Sequence, residues 1–163
     1  MEITKRKLMI GARFLNFVLE DESYCLEILK VKELLGMTTI TPIPQTPAYI
    51  KGVINLRGQI IPIVDLRLKF GMEPKAYHKR TSIIVVEVDF RDELMLMGLI
   101  VDVINEVISI PKEAISAIPF INAKIKAEYI KGIATTAEGI KILLDVERVL
   151  NDEDFVLLKA IEK

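Results

Sequence analysis

The two residue types most often used as nucleophile and general base, cysteine and histidine, occur once each and stand apart in the sequence. The chain has one cysteine, Cys25, and one histidine, His78. A reactive thiol needs polar or positive surroundings that lower its pKa, but Cys25 lies within the apolar run YCLEILKV. His78 lies in the charged segment HKR, where a solvated turn residue is the simpler interpretation. We therefore expect a buried, unreactive thiol and no catalytic histidine.

Sequence motifs for enzyme chemistry are also absent. The chain contains no glycine-rich phosphate loop, no G-x-S-x-G and no H-E-x-x-H. A structural zinc site takes about four Cys or His ligands, and the chain has one of each. We expect no enzyme activity, no cofactor and no metal.

Composition argues against nucleic acid and membrane as the main partners. The formal net charge is -1 and the pI is near 5.9, so no basic field is available for phosphates. Aromatic residues make up 6% of the chain, which leaves few platforms for stacked bases. No apolar tract reaches the roughly 20 residues of a membrane span. We expect a cytoplasmic protein without membrane insertion, and we keep an oligonucleotide-binding small barrel as the alternative from another class.

Arg57 is the residue with the clearest potential for recognition. It lies at the tip of the apolar hairpin VINLRGQII. A guanidinium can form two parallel hydrogen bonds with a carboxylate. The carboxylate could belong to a partner, or the arginine could be paired within the chain, with Glu33 as one candidate. The sequence leaves both interpretations open.

A repeat organises the chain around this hairpin. YIKGVINLRGQIIPIVDL, from Tyr49 to Leu66, returns eighty residues later as YIKGIATTAEGIKILLDV, from Tyr129 to Val146. Two copies are too few for a solenoid, so duplication of a small β unit is the simpler interpretation. Each copy predicts a glycine, a strand, a tight turn and a second strand. We place the turns at 57–58 and, one residue later in the repeat, at 138–139.

Short apolar and β-branched runs predict a mainly β protein with short helices. The polar connection 71–80 is the candidate boundary between two parts. Residues 122–130 predict a short helix that Asn122 could cap. A final helix is predicted from Asn151 as N-cap, with Asp154 at the third helical position. The predicted strands are 12–19, 24–31, 38–40, 52–56, 59–64, 82–88, 94–101, 107–110, 132–136 and 140–144.

Three stretches carry a resemblance to a known family: YCLEILKVKELLG, PIPQTPAYIKGVINLRGQIIPIVDLRLKFG and MGLIVDVINEVISI. They resemble the bacterial chemotaxis coupling protein family CheW, from about residue 12 into the final helix. The resemblance implies a single domain over 12–162, made of two small five-stranded SH3-like or OB-like β-barrel subdomains around a shared hydrophobic core. We expect subdomains near 12–75 and 80–150, with strands possibly exchanged, and a flexible segment 1–11. A C-terminal helix completes the expected fold.

The resemblance also implies a function by association. Proteins of this family join the cytoplasmic signalling tip of a chemoreceptor to the regulatory domain of the histidine kinase CheA. Such an adaptor would be recruited to receptor clusters at the inner face of the membrane. A receptor pathway with an output other than swimming is an alternative within the same family.

Ten positions match family positions implicated in receptor or kinase coupling. The apolar members could supply contact area, Glu33 and Arg57 orientation, and the glycines close backbone approach; each glycine could equally serve a turn or packing alone. Two features depart from the family pattern: Cys25 stands where a small residue is usual, and the connection VDFRDELMLMG is long. The expected partner-binding residues are Val31, Glu33, Gly52, Asn55, Leu56, Arg57, Gly58, Ile83, Gly98 and Val107.

Overall fold

The computed structural model describes residues 12–116 and 125–162, which fold mainly into β-strands with short helices, as predicted. One-turn 3-10 helices span Ile28–Lys30, Lys112–Ala114 and Ala127–Tyr129. The helices are α1 (Leu66–Lys69) and α2 (Asp152–Glu162). The strands are β1 (Ala12–Leu19), β2 (Glu22–Glu27), β3 (Val31–Gly36), β4 (Ile50–Leu56), β5 (Gln59–Asp65), β6 (Ser82–Phe90), β7 (Glu93–Val101), β8 (Val103–Ile110), β9 (Ile115–Ser116), β10 (Ile130–Thr136) and β11 (Gly139–Leu144).

The strands form two sheets. The first has the order β8-β1-β2-β11-β10-β9, and the second has the order β3-β6-β7-β5-β4. The expected five strands per subdomain therefore hold for the second sheet, whereas the first gains the two-residue strand β9. The connection 71–80 joins α1 to β6 and so runs within the second subdomain. The division at 12–75 and 80–150 does not coincide with the two sheets.

Each sheet curls so that strands far apart in its order share an interior. In the second sheet, Ile54 of β4 clusters with Leu35 of β3, although these strands are at opposite edges. In the first, Ile110 of β8 clusters with Ala134 of β10. We call the first curled sheet the first barrel and the other the second barrel.

A third, larger core lies between the barrels, as predicted. Strands that are buried on both faces build it, because alternate side chains point into the barrel and into this shared core. On β6, for example, Ile83 and Val85 face the interior of the second barrel, and Ile84 and Val86 face the shared core. Burial on both faces explains the continuous apolar runs in the sequence.

The duplication extends beyond the repeat seen in the sequence. Hairpin β1–β2 precedes β3, β4 and β5, and hairpin β6–β7 precedes β8, β10 and β11. Each hairpin pairs with strands of the other unit: β1 with β8, β2 with β11, β6 with β3, and β7 with β5. The molecule is therefore a duplicated unit whose two halves exchange their hairpins.

Corresponding residues keep the same contacts in both copies. The backbone N–H of Asp65 donates to the carbonyl of Tyr49 at 2.8 Å, and that of Asp145 donates to the carbonyl of Tyr129 at 2.9 Å. The strand register shifts at Gly52 in one copy and at the equivalent Gly132 in the other. Both turns occupy the same repeat position, at 57–58 and 137–138. The prediction of a turn at 138–139 is wrong by one residue, because Gly139 already begins β11.

Three other predicted elements need correction. Residues 38–40 form no strand, and nearby only Thr41 makes an isolated bridge, to Val53. The predicted strand 24–31 is broken by the 3-10 helix Ile28–Lys30, where the chain crosses from the first sheet to the second. Of the predicted helix 122–130, residues 122–124 lie outside the described residues, the 3-10 helix Ala127–Tyr129 is its helical part, and Ile130 begins β10.

The final helix begins as predicted. The Asn151 side chain accepts a hydrogen bond from the Asp154 backbone at 2.8 Å, and the Asp154 carboxylate accepts one from the Asn151 backbone at 3.1 Å. This is a reciprocal capping box. Phe155, Leu158 and Ile161 of this helix pack on the shared core.

Candidate functional site

The β4–β5 hairpin presents Arg57 in a fixed geometry. Arg57 and Gly58 both have positive φ angles, of 54° and 87°, as a two-residue type I′ hairpin turn requires. The Asn55 side chain accepts a hydrogen bond from the Gly58 backbone at 2.8 Å and closes the turn. Three of the predicted site residues therefore form one structural unit.

Arg57 pairs with Glu33, the internal partner that the sequence left open. The two guanidinium nitrogens lie 2.5 Å and 3.2 Å from the two carboxylate oxygens, so the pair is bidentate. The hydrogen bond from Arg57 lowers the pKa of Glu33 and raises the pKa of Arg57 itself. The Arg57 side chain remains 70% exposed, so donors are still available to a partner.

This ion pair closes one end of the second barrel and borders a groove of about 470 Å³, which we call the Arg57 groove. Its floor is apolar, and charged or polar side chains stand around it. On one side Lys32 pairs with Glu87 at 3.4 Å. The lining residues are Lys32, Glu33, Leu56, Arg57, Gln59, Val85, Glu87 and Leu96.

Val31 and Gly52 lie close in the fold but are less accessible than the hairpin tip. Val31, at the start of β3, is half-buried and packs against the shared core. Gly52 is buried with a φ of 138°, and a Cβ there would overlap the Thr41 carbonyl and come within 2.9 Å of the Pro42 Cα. The backbone of the second barrel thus requires glycine at this position.

Ile83 and Gly98 lie inside the second barrel. Ile83 is fully buried in the barrel interior. Gly98 faces the same interior, where a Cβ would come within 2.8 Å of Ile83 and 2.5 Å of Ile63. Neither residue is available to a partner, so any effect on coupling would pass through the shape of the barrel.

Val107 lies apart from the other predicted residues. It is 37% exposed on β8, the edge strand of the first barrel. Its equivalent in the second barrel is Leu34. Val107 pairs with Leu15 of β1, and Leu34 pairs with the corresponding Ile84 of β6. Leu34, 47% exposed, was not predicted, although the alternation in VKELLG could have identified it.

The sequence analysis also missed Val85 and Leu96 as part of the groove floor. Both lie on strands that are distant from the hairpin in the sequence, and only the curl of the sheet brings them under Arg57. No local pattern encodes that curl. Leu56 was predicted and does line the groove.

The residues examined for catalysis do not form a reactive site. Cys25 is fully buried, and burial raises the pKa of its thiol to about 11. His78 is exposed and accepts a hydrogen bond from the Arg80 backbone at 3.1 Å. Within 12–116 and 125–162, no three metal-ligating side chains come together, and no helix is long and apolar enough to cross a membrane. The chemistry that the Arg57 groove offers is recognition by charge pairing and apolar contact.

Comparison with known proteins identifies the family of the chain. The model of the CheW-like domain matches residues 13–154. The chain belongs to the CheW-like domain family. The chemotaxis protein CheW of Klebsiella aerogenes is 38% identical, with 94% of this chain and 90% of the relative covered. That of Helicobacter pylori is 32% identical, with 86% and 82% covered.

A solved CheW structure agrees with the fold. The scaffolding protein TtCheW from Thermoanaerobacter tengcongensis superposes with a TM-score of 0.77 at 35% identity, covering 85% of this chain and 92% of the other. This similarity confirms the predicted family and its two β subdomains. Membership in the CheW-like family identifies the chain as a chemotaxis adaptor.

Proposed function

We propose that this CheW-like chain joins the regulatory domain of the kinase CheA to the cytoplasmic signalling tip of a chemoreceptor, and that it is recruited to receptor clusters at the inner face of the membrane. The observation that carries the proposal is the bidentate pair between Arg57 and Glu33 at the mouth of the second barrel. Both residues occupy positions that the family resemblance assigns to coupling.

Stability alone is a weak reason for this ion pair. Exposed salt bridges contribute little to folding, because water and salt screen them. The pair instead fixes the hairpin tip against β3 and orients an arginine whose side chain is 70% exposed. A partner carboxylate or backbone carbonyl can then bind a guanidinium that is already ordered.

Apolar surface beside the pair supplies contact area. Leu34 and Ile60 are 47% and 37% exposed, and Leu56 lines the Arg57 groove. Such a mixture of apolar centre and charged rim is typical of protein interfaces. Ile83 and Gly98 support this surface from inside the barrel, and Gly52 holds the backbone beneath it.

Val107 extends the predicted surface to the first barrel. An adaptor that holds two partners at once needs separate surfaces, and the duplicated fold offers related surfaces on two barrels. The exposed side chain of Val107 on the edge strand β8 is one such candidate.

Calorimetric titration of the purified chain against the CheA regulatory domain, and separately against a receptor-tip fragment, tests the proposal. We expect micromolar binding to both, about -8 kcal/mol, and at least tenfold weaker binding of one partner by Arg57→Ala. Arg148→Ala is the matched control, because its side chain is equally exposed at 70% and also lies near a carboxylate. Normal binding by Arg57→Ala, with both partners active towards wild type, would remove Arg57 from the interface.

A further inference from the structure

Lys141 is a buried lysine without a partner in the first barrel. Its residue is 4% exposed, and among the described residues no hydrogen bond or ion pair reaches its ammonium. It alternates along β11 with Ile142, which faces the shared core, and it shares a face with Leu143, which faces the interior of the first barrel. Lys141 therefore extends into the interior of the first barrel. A lysine on the interior face of a barrel needs a partner or contact with solvent for its charge, so this position needs a physical reason.

Two further hydrogen-bond donors share this face. Asn16 pairs directly with Cys25 across β1 and β2, and Ser23, two residues before Cys25, pairs with Lys141 across β2 and β11. Residues opposite each other in a ladder lie on the same face, as do residues two apart on a strand. An ammonium, an amide and a hydroxyl are thus neighbours on the interior face of one barrel.

The second barrel shows that this cluster is specific to the first. Strand pairing makes Gly98 the equivalent of Cys25, because each pairs with the same repeat position, Ile63 and Leu143 respectively. By the same register, the three donors have apolar equivalents, two of which form the floor of the Arg57 groove. The equivalents of Lys141, Asn16 and Ser23 are Ile61, Val85 and Leu96.

The donors are available at the mouth of the barrel. In the described part of the chain no fully buried side-chain nitrogen lacks a hydrogen-bond partner. Among the described residues the Lys141 ammonium has none, and the Asn16 amide uses only its oxygen, which accepts from the Cys25 thiol at 3.7 Å. With respect to the described residues, both nitrogens therefore contact solvent at the barrel mouth although their residues are 4% exposed.

This mouth lacks the closure found in the second barrel. Arg57, which closes the second barrel by pairing with Glu33, is replaced by Ala137 at the equivalent turn position. Gln59 is replaced by Gly139, and a Cβ on Gly139 would meet nothing within 4 Å. Among the described residues, positions 137 and 139 of this turn therefore place no long side chain over Lys141.

We propose that the mouth of the first barrel is a binding site for a carboxylate, held by the Lys141 ammonium and the Asn16 amide with the Ser23 hydroxyl beside them. These are the donors that bind a carboxylate through charge-assisted hydrogen bonds. Glu106, at the position equivalent to Glu33, and Glu138 are exposed, and neither makes an ion pair with Lys141 among the described residues, so the site is not filled from within that part of the chain. The carboxylate comes from a small free acid or from an acidic side chain of a bound protein.

The charge of Lys141 acts on the buried thiol of Cys25. It lowers the pKa of Cys25, although burial raises that pKa by more. The ammonium thus lies close enough to the thiol for Cys25 and Asn16 to report on its occupancy. The side-chain amide of Asn16 can be followed by nuclear magnetic resonance in isotopically labelled protein.

The first arm of the test titrates the intact chain with sodium acetate, replacing chloride at constant ionic strength. We expect acetate to shift the signals of the Asn16 side-chain amide and of the Lys141 ε-carbon in a saturable way. In Lys141→Met the shift of the Asn16 signal should be absent. Asn16→Val, which installs the residue of the second barrel, should weaken acetate binding at least fivefold without unfolding the chain. Lys126→Met is the control, because Lys126 is 72% exposed and lies outside the barrel mouth.

The second arm distinguishes the source of the carboxylate and is separable from the proposed function. If acetate has no effect but Lys141→Met weakens the complex with the CheA domain or the receptor tip at least tenfold, the carboxylate belongs to that partner. If acetate binds to the wild-type chain and Lys141→Met leaves the affinity for both partners unchanged, the ligand is a free acid. The proposed adaptor function is then not affected by this site. No acetate response, together with unchanged binding of both partners by Lys141→Met and Asn16→Val, would overturn the site.

Discussion

Gly52 shows how one residue determines the shape of the second barrel. Thr41 and Val53 exchange two backbone hydrogen bonds of 2.9 Å, which fasten the segment before β4 against the strand. The Thr41 carbonyl therefore occupies the space where a side chain at position 52 would lie. Packing accounts fully for this glycine, whereas Gly58 has open space around it and a φ of 87°.

Gly52→Ala should destabilise the fold far more than Gly58→Ala. At position 58 alanine is destabilising only because the backbone is left-handed there, and the expected loss of folding free energy is about 1–2 kcal/mol. At position 52 it meets a positive φ and a backbone clash, so we expect a loss of about 3 kcal/mol or more. Urea unfolding followed by circular dichroism measures both. Equal losses in the two variants would contradict the role of the Thr41 contact.

At the residue scale, some of the site could be predicted and some could not. Glu33 could be named as a candidate partner of Arg57 because both types suit a bidentate pair. Lys141 was not predicted, although it aligns with Ile61 when the two repeats are compared. A lysine at the repeat position of a core isoleucine is a usable signal. Asn16 and Ser23 offered no such signal, because their equivalents lie in hairpins whose sequences do not visibly repeat.

At the element scale, α2 is anchored to both copies of the repeat through its first turn. The Asp154 carboxylate accepts a hydrogen bond of 2.5 Å from the Tyr49 hydroxyl and lies 3.4 Å from the Lys69 ammonium. The Lys69 ammonium also lies over the rings of Tyr49 and Tyr129, at 4.4 Å and 5.8 Å from their centres. One buried carboxylate thus joins the helix cap to the two tyrosines that begin the repeats.

Asp154→Ala should cost roughly 2–4 kcal/mol of folding free energy, because it removes one half of the capping box and leaves the Lys69 ammonium buried without its carboxylate partner. Asp152→Ala is the control, since Asp152 lies in the same first turn but is exposed. Thermal and urea unfolding give the comparison. If the two variants unfold alike, the contacts of Asp154 with Tyr49 and Lys69 contribute nothing beyond ordinary helix-end electrostatics.

Strand positions were largely predictable because β-branched runs between polar turns are a local signal. The strand predicted at 38–40 does not form, although threonine and isoleucine favour strands. Next to this segment only Thr41 pairs with another strand, through an isolated bridge to Val53. The break at Ile28–Lys30 was hidden because two of the three residues at the crossing between sheets, Ile28 and Leu29, are apolar. Local propensity does not encode which sheet a strand joins.

At the scale of the whole molecule, exchanged hairpins make the two barrels interdependent. Arg67 of α1 strengthens this link: its guanidinium lies 2.8 Å from Asp102, where β7 crosses to the other sheet, and 2.6 Å from Glu20, at the turn of the β1–β2 hairpin. The sequence repeat predicted a duplication, but the exchange could not be deduced, because alternation fixes the face of a strand and not its neighbour.

The barrels should unfold in one cooperative transition. Ile63 and Leu143 occupy the same repeat position inside different barrels. Truncating either to alanine should cost about 2–5 kcal/mol and lower the stability of both barrels together. Hydrogen exchange monitored along the whole chain, beside urea unfolding, provides the measurement. Loss of protection in one barrel only would show that the hairpin exchange does not couple them.

The adaptor role itself is tested most directly by a sequential titration. The chain is first saturated with the receptor-tip fragment and then titrated with the CheA regulatory domain, and the complex is sized in solution. The account predicts that the kinase domain binds the preformed complex with no more than a few-fold change in affinity, giving a particle that contains all three proteins. If saturation with the receptor tip abolishes binding of the kinase domain, the two partners compete for one surface, and the chain cannot couple them as proposed.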